Sequence, residues 1–409
     1  MNGMDANGPG DDMDYHAWVG QYADTEDRWQ IAYPAEAGGN LWQRVRTGSP
    51  SIWSAWSKIA FESDVVSYAA SLLDVRRNRI VNPCMQVSQE NENTAGTSAP
   101  YYVADQWVLG ANFATAAFSI QRVQSTTPAG SKDRLRATIT TADAALDAGD
   151  HLTIFQPIEG ARVADFLFGT ANARPGVIRV GMNFPQGTWC VALLNAALDR
   201  SYVAEVVISA AEAGTDVVKE ISFTGDTSGV WPTGDVKSWD LRFTIAAGAT
   251  YRGVAGWQSG LMLATGNQTN GASSTANVFE VFDVGLRRDP DGTGDYGQFE
   301  VPDPANVLRD CMRYWVERGL RIQVGGGVDS SYVGNTVYFP VPMRASPSMS
   351  YRDASGTANR VTTSGSGDNQ TPSAGSIMTN GTRNGFESDA LFSAANNWVY
   401  FTWTANARM

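Results

Sequence analysis

The stretch GVIRVGMNFPQGTWCVALL (residues 176–194) decides the fold, because it contains two short runs rich in β-branched and other apolar residues, at 176–184 and 189–194. Turn-forming segments such as Gly225–Gly229 separate further runs of this kind. The succession predicts an all-β fold, in which a two-sheet jelly-roll β-sandwich with long loops spans residues 81–288. The further runs lie at residues 118–123, 135–140, 151–158, 202–208, 219–223, 239–245 and 278–286.

The composition also favours strands over helices. Charged residues make up 18% and hydrophobic residues 43% of the 409 residues, and the 41 glycines suit turns between aromatic-rich strands. A chain of this length has room for roughly two to four domains, because single cores seldom grow past about 250 residues.

The charge and the cysteines exclude several classes of partner and site. The net charge is -12, and the basic residues are scattered, whereas phosphate-backbone binding needs clustered Lys and Arg, so we expect no nucleic acid. Cys84, Cys190 and Cys311 lie far apart without C-x-x-C spacing, which predicts free, mostly buried thiols in a protein made in a reducing cytoplasm. The first residues have no signal-peptide pattern, and no apolar run approaches the roughly 18 residues of a span, so we expect no membrane insertion.

The first eighty residues predict three small segments. Residues 1–28 predict a flexible segment, because Gly and Asp dominate its start. Residues 29–61 alternate in polarity and then place Trp53 and Trp56, which predicts a small β unit with a tryptophan core. Residues 62–80 predict a short helical neck, either between subunits or packed on its own domain. Its apolar positions are Val65, Tyr68, Leu72 and Val75.

Residues 303–409 predict a small β-rich module with one helix, joined to the sandwich by a linker at 289–302. Asp303 followed by Pro304 is a good helix start, and Gly319 is where we expect the helix to end. Its apolar stripe consists of Val307, Leu308, Cys311 and Trp315.

A long polar loop is predicted between Met349 and Phe386, because Ser, Thr, Gly and Asn dominate there before the strand Trp398–Trp403. Such loops commonly carry binding surfaces. Sugars need flat aromatic faces and planar polar side chains. Trp257, between Gly256 and Gln258, is the tryptophan that we expect to be most exposed. The carbohydrate-binding candidates are therefore Trp257, Tyr351, Arg352, Asn359, Arg360, Asn380, Arg383 and Asn384.

An acidic segment has the spacing of a calcium-binding loop. Its oxygens occupy positions 1, 3, 5, 7 and 12, with a glycine at position 6. The flanks resemble a strand and a linker rather than two helices, so a solvated acidic turn is the alternative, and no other cofactor is expected. The candidate ligands are Asp289, Asp291, Thr293, Asp295 and Glu300.

No residue set predicts catalysis. A serine or cysteine nucleophile needs a base, and the two histidines are His16, near the start, and His151, in a predicted strand. The 42 acidic residues leave open a carboxylate pair that hydrolyses a glycan, so a polysaccharide depolymerase is the alternative. The chain shows no β-helix repeat, however, and we expect a protein that is not an enzyme.

Several motifs resemble those of bacteriophage tail-fibre proteins. Arg44, Arg46, Trp53 and Trp56 are similar to the end of knob-like modules in phage and pyocin fibres. In the carbohydrate-binding-like jelly rolls of these fibres, arginine is common where this chain has Gln106 and Pro157, so no fixed ion pair is expected there. The jelly-roll motifs are 82–89, 102–107, 156–160, 169–175 and 225–231, in the order of carbohydrate-binding-like jelly rolls of these fibres, and the C-terminal motifs are 311–315, 339–345 and 398–409.

This resemblance implies a homotrimeric receptor-binding protein of a virion tail fibre or spike, made in the host cytoplasm. The N-terminal segment would join other tail or baseplate proteins, and the module at 303–409 would adhere to a host cell-surface polysaccharide. Two alternatives remain: a structural head-spike or decoration protein of a phage-like particle, and a polysaccharide depolymerase.

Overall fold

The computed structural model describes residues 15–21, 28–34, 41–47, 52–59, 77–324, 331–393 and 396–409. The chain divides into two compact units, Met1–Arg76 and Arg77–Met409. In the described part of the chain, no helix is long and apolar enough to cross a membrane.

The first unit contains one five-stranded antiparallel sheet. Strand β3 lies at its centre and pairs with β2, β4 and β5. The guanidinium of Arg44 lies 4.8 Å from the ring centre of Trp53 and 4.5 Å from that of Trp56, so the predicted tryptophan core is built around a cation. The strands are β1 (Tyr15–Gln21), β2 (Arg28–Pro34), β3 (Leu41–Thr47), β4 (Ile52–Trp53) and β5 (Ser57–Ile59).

Two predictions for this region need correction. Residues 15–21 are not a flexible segment, because they pair with β2 over seven residues. Residues 77–80 do not form the end of a helical neck; the Arg79 amide donates instead to the Leu286 carbonyl at 2.9 Å, because this segment runs beside residues 284–286, beyond the part of the same strand that pairs with residues 135–138. The apolar positions 65–75 of the predicted neck lie outside the described residues.

The second unit begins with the predicted jelly-roll sandwich, and the all-β fold class is confirmed. A seven-stranded sheet has the order β17-β13-β12-β15-β10-β7-β6, and a five-stranded sheet has the order β14-β11-β19-β9-β8. The strands are β6 (Tyr101–Ala104), β7 (Trp107–Asn112), β8 (Ala117–Gln124), β9 (Asp133–Thr141), β10 (His151–Glu159), β11 (Gly176–Asn183), β12 (Gly187–Asn195), β13 (Arg200–Ile208), β14 (Val217–Phe223), β15 (Lys237–Ala247), β16 (Arg252–Gly253), β17 (Gly256–Ser259), β18 (Ala264–Thr265) and β19 (Val278–Arg288), with a short helix α1 (Gly160–Val163) after β10.

The core of the sandwich follows from the period-two alternation of its strands. In β15, Trp239, Leu241, Phe243 and Ile245 are fully buried and face the other sheet. The acid between the first two of these, Asp240, points to the opposite face and pairs with arginine and lysine side chains. One face of each central strand therefore builds the core.

The C-terminal module begins with helix α2 (Pro304–Met312), which Asp303 caps by accepting from the amides of Ala305 and Asn306. Two sheets follow, one with the order β20-β27-β23-β24 and β22 beside β27, the other with the order β21-β26-β25. The strands are β20 (Trp315–Gln323), β21 (Ser331–Tyr338), β22 (Ser348–Arg352), β23 (Val361–Thr363), β24 (Gly367–Gln370), β25 (Ala374–Thr379), β26 (Gly385–Phe392) and β27 (Trp398–Asn406).

Two expectations for this module are wrong. The helix ends at Met312 rather than before Gly319, because the residues from Trp315 pair with β27 over nine positions. The polar stretch 349–386 is not a long loop, since it contains β22 to β25. Sparse apolar residues such as Val361 and Ile377 are fully buried and fix these strands, while their polar neighbours remain outside.

The three cysteines are buried, form no disulfide, and give a test of the packing. Burial raises the pKa of each thiol above its ordinary value, so almost no reactive thiolate forms at pH 8. We expect none of the three to react with an aromatic disulfide reagent in the native protein within an hour at pH 8. All three should react after denaturation; a fast-reacting thiol in the folded protein would contradict this packing.

Candidate functional site

The outward side of the three-stranded sheet β21-β26-β25 exposes two aromatic rings. The side chain of Tyr332 is 50% exposed and that of Tyr338 is 77% exposed, although large aromatic side chains are ordinarily packed against other residues. The alternation of β21 turns Val333 into the core and these two tyrosines outward. Below, tyrosine face denotes the outward side chains of Tyr332, Thr336, Tyr338, Glu387 and Asp389.

The register of the sheet brings carboxylates beside the tyrosines. Gly334 pairs with Asp389, and Thr336 pairs with Glu387. The hydroxyl of Tyr332 hydrogen-bonds to the Asp389 carboxylate, which raises the pKa of this tyrosine. A Cβ atom on Gly334 would lie 2.6 Å from the ring of Tyr332, so that ring lies across the glycine. The ring is thus held flat against the strand.

This arrangement predicts an effect of Gly334→Ala on ligand binding rather than on folding. The backbone of Gly334 has no left-handed conformation, and the Tyr332 ring can swing away from an added methyl group. We expect the midpoint of thermal unfolding to change by less than about 2 °C, because surface changes cost within about 0.5 kcal/mol. If this face binds a saccharide, as the tail-fibre resemblance implies, titration calorimetry should show the affinity weakened about threefold to tenfold because the ring is displaced. Unchanged affinity would remove Tyr332 from the site.

A pocket of about 250 Å³ lies at the Tyr338 end of the face. Gly385, opposite Tyr338 on β26, also lines the pocket, and a Cβ atom on it would collide with the Val337 carbonyl oxygen, so glycine allows the two strands to approach closely here. The amide of Asn380 donates to Glu387 at 2.7 Å, which fixes both groups at its wall. The lining residues are Thr336, Tyr338, Asn380, Thr382, Asn384, Gly385, Phe386 and Glu387.

The chemistry of this surface is that of hydroxyl recognition. Aromatic rings offer flat apolar faces, and amide, hydroxyl and carboxylate groups provide donors and acceptors around them. Strands β21, β25 and β26 contain no Lys or Arg, so the face carries negative charge.

The predicted binding residues are divided between two sheets and a junction. Asn380 and Asn384 line the pocket. Tyr351 packs against Phe401, with ring centres 6.1 Å apart. The remaining residues of the predicted loop hold their own sheet together. Arg352 forms a bidentate pair with Glu317, and the backbone N–H of Asn359 donates to the Tyr351 carbonyl. The Arg360 guanidinium donates to the side-chain oxygen of Asn369.

Arg383 lies at a junction with the sandwich instead of in a receptor loop. Its guanidinium donates to Asp235 at 2.7 Å and to the Met343 carbonyl at 2.8 Å. Arg383 also holds the pKa of the Asp235 carboxyl below its usual value. The residues Glu159, Asp235, Arg313, Tyr314 and Arg383 are called the junction cluster below.

The junction cluster fixes the C-terminal module to the sandwich. Arg313 donates to both oxygens of Glu159, at 2.5 and 3.0 Å, and to Asp235 at 3.1 Å. Burial raises the pKa of Tyr314, so its hydroxyl stays protonated and donates to Glu159 at 2.7 Å. A second contact lies nearby, where the Arg408 guanidinium stacks 3.7 Å from the ring centre of Tyr102.

Trp257 is the least buried of the sandwich tryptophans, as expected, but it packs against the core. Its ring centre lies 5.2 Å from that of Tyr202 and 5.7 Å from that of Trp231. Its indole N–H donates to the Thr224 carbonyl at 2.8 Å. The two ring contacts and the hydrogen bond give this tryptophan a structural role at the edge of the aromatic core.

The acidic segment after β19 forms a packed turn. The carboxylate of Asp289 is buried and accepts from the amides of Thr293 and Gly294, and Asp295 accepts from the Gly297 amide at 2.6 Å. Across the described ranges, no group of three or more His, Cys, Asp or Glu side chains could hold a metal ion. Calcium binding at Asp289, Asp291, Thr293, Asp295 and Glu300 stays a prediction.

The histidines have structural surroundings. The ring of His151 packs edge-on against Tyr251, with centres 4.9 Å apart, and burial lowers its pKa. The ring of His16 lies 5.3 Å from that of Tyr33 in the first unit.

All five residues of the tyrosine face were missed from the sequence: Tyr332, Thr336, Tyr338, Glu387 and Asp389. The signal was present in the alternation of residues 332–338, where Val333 and Val337 occupy one side and both tyrosines the other. The tyrosines were overlooked because the strands that follow have a polar composition, which predicts a loop rather than a sheet.

Comparison with known proteins gives no family. Neither a protein-family model nor a curated protein matches the chain. The solved structures that resemble it include the enzymatically active domain of bacteriophage CBA120 tailspike protein 4 (7% identity, TM-score 0.28, 52% of this chain and 21% of that one). They also include the carbohydrate-binding module TmCBM61 in complex with β-1,4-galactotriose (11%, 0.26, 52% and 99%) and an R1 pyocin fibre of P. aeruginosa (11%, 0.15, 98% and 85%). Because the TM-scores of these structures are below 0.5, the fold assignment rests on the strands described above.

Proposed function

We propose that this chain is a receptor-binding protein of a phage tail fibre or spike, which adheres to host cell-surface polysaccharide through the tyrosine face without cleaving it. The observation that carries the proposal is the pair of exposed tyrosines bordered by carboxylates and an asparagine amide on one sheet face.

The physical reason is the match between this face and a sugar ring. The exposed faces of Tyr332 and Tyr338 can stack against the C–H side of a pyranose, and Glu387 and Asn380 can exchange hydrogen bonds with its hydroxyls. The pocket at the Tyr338 end is open, so an internal residue of a long polymer could enter it.

The junction cluster supports adhesion as well. A surface that holds a particle to a cell gains from being fixed on its support, because ordering it at the moment of binding would weaken affinity. Glu159 is 1% exposed and binds both Arg313 and Tyr314, so the module is anchored by a buried charge.

The location in a virion and the trimeric state rest on the sequence motifs. The Arg44, Trp53 and Trp56 cluster gives the knob-like motif a structural reason, since the cation packs between the two indoles. Three copies per fibre would multiply a weak single-site affinity by raising the effective concentration of the remaining sites.

A glycan-array assay with the purified full chain tests the proposal, with oligomer size measured by light scattering. We expect saccharide binding, a trimeric mass and no fall in viscosity of the bound polymer. A fall in viscosity would indicate a depolymerase instead. No saccharide binding by a correctly folded trimer would refute adhesion through a glycan and favour a structural virion component.

A further inference from the structure

We infer that the tyrosine face selects saccharides without acidic groups and binds best those that carry a free amine. This inference rests on the proposed function and adds the chemical class of its ligand.

The first observation is the charge of the face. Glu387 and Asp389 are both exposed on the same side of β26, two positions apart, so both point toward a bound ligand. Neither carboxylate has a salt-bridge partner within the described part of the chain, whereas Glu159, Asp235 and Glu317 all pair with arginines.

The second observation is what holds these carboxylates. Glu387 accepts from the Asn380 amide, and Asp389 accepts from the Tyr332 hydroxyl, so neutral donors position them and leave the negative charge uncompensated. Arg383, although next in sequence to the pocket residues Thr382 and Asn384, directs its guanidinium to Asp235.

Electrostatics then ranks the ligands. A sugar carboxylate on this face would approach two like charges with no cation to offset them, and like charges a few ångströms apart repel measurably even in water. The net charge of -12 adds to this repulsion within the screening distance, about 8 Å at physiological ionic strength.

A protonated amine has the opposite interaction. It can donate to a carboxylate, and its charge is attracted by the face of a tyrosine ring. The acetylated form of the same sugar lacks this charge but keeps its hydroxyls, so it should bind with intermediate strength. Amine-bearing, neutral and acidic saccharides therefore form a predicted series.

The test is an array of printed neutral, amine-bearing and acidic glycans, followed by titration with oligomers of β-1,4-glucosamine, their N-acetylated counterparts and oligogalacturonate. The full chain and the double variant Glu387→Gln, Asp389→Asn are compared. Glutamine and asparagine keep acceptors for Asn380 and Tyr332, so the fold should be preserved, which thermal unfolding checks.

For the wild type we expect the glucosamine oligomer to bind at least fivefold more tightly than the acetylated one, and the difference to shrink with added salt. Acidic glycans should give no signal. In the double variant the amine preference should disappear, and acidic glycans should bind at least tenfold better than they bind the wild type.

The failures are distinguishable. Wild-type binding of acidic glycans as strongly as neutral ones, or an amine preference unchanged in the double variant, would overturn this inference and leave glycan adhesion intact. Absence of binding to every glycan on the array would overturn the proposed function and the inference together.

Discussion

Glu159→Ala is expected to lower the midpoint of thermal unfolding by about 6–12 °C. This range follows from a loss of about 3 kcal/mol in the free energy of unfolding, because each kcal/mol lowers the midpoint by about 2–4 °C. Removing one partner of a buried ion pair commonly costs about 3–5 kcal/mol, because the other charge stays without compensation. The lower end applies here, since Arg313 is 29% exposed and keeps its contact with Asp235.

The geometry explains why the effect is large. The Glu159 carboxylate accepts two bonds from Arg313 and one from the buried Tyr314 hydroxyl, so its removal breaks three hydrogen bonds and leaves the Tyr314 hydroxyl without this acceptor. Calorimetry measures the midpoint, and limited proteolysis should show the C-terminal module cleaved faster in the variant.

Glu317→Ala is the matched control. Glu317 also forms a bidentate pair, with Arg352, at 2.5 and 2.8 Å, but these side chains are 25% and 42% exposed. Solvent screens such a pair, so its loss should cost less than about 1 kcal/mol. Equal effects of the two substitutions would show that burial does not set the contribution of Glu159.

Tyr332→Ala combined with Tyr338→Ala is expected to weaken saccharide binding at least thirtyfold. Truncating an aromatic anchor at the centre of an interface commonly costs about 2 kcal/mol or more, which is about thirtyfold in the dissociation constant. Both rings are exposed, so the free energy of unfolding should change little. Titration calorimetry with the strongest glycan of the array measures the affinity.

Two variants make this result specific. Tyr338→Phe keeps the flat ring and should retain affinity to within about threefold, because stacking needs no hydroxyl. Tyr33→Ala removes a tyrosine that is also exposed but lies in the first unit, and it should leave binding unchanged. If the double tyrosine variant binds like the wild type, the tyrosine face is not the saccharide site.

The sandwich could be predicted from sequence because its strands are long and its alternation is regular. Each of the nine predicted runs overlaps an observed strand. Strands β6, β7 and β16 to β18 were not among the predicted runs; all of them except the six-residue β7 have only two to four residues, which is too short to show a period. Tertiary pairing, which local pattern does not contain, decides their conformation.

The site was harder to predict, for a related reason. Asn380 and Asn384 were identified by residue type, but Arg352, Arg360 and Arg383 make bonds inside the protein that only the folded register reveals. Tyr338 was overlooked since exposure of an aromatic ring depends on which side of an edge strand it occupies. The alternation that turns two tyrosines outward can be read from the sequence, but the pairing of β21 with β26, which places carboxylates beside them, cannot.

The pairing of residues 78 and 79 with β19 has a consequence for how the chain acquires its structure. The side-chain amide of Asn78 donates to the Val284 carbonyl, 206 residues further along the chain, and the backbone N–H of Arg79 donates to the Leu286 carbonyl. During synthesis, residues 78 and 79 therefore cannot pair until β19 has left the ribosome. Pairing over such distances is slow because loop closure must precede it. The nascent chain accordingly exposes two apolar sheet faces for longer than a helical protein of equal length would, and its yield should depend on chaperones and on growth temperature.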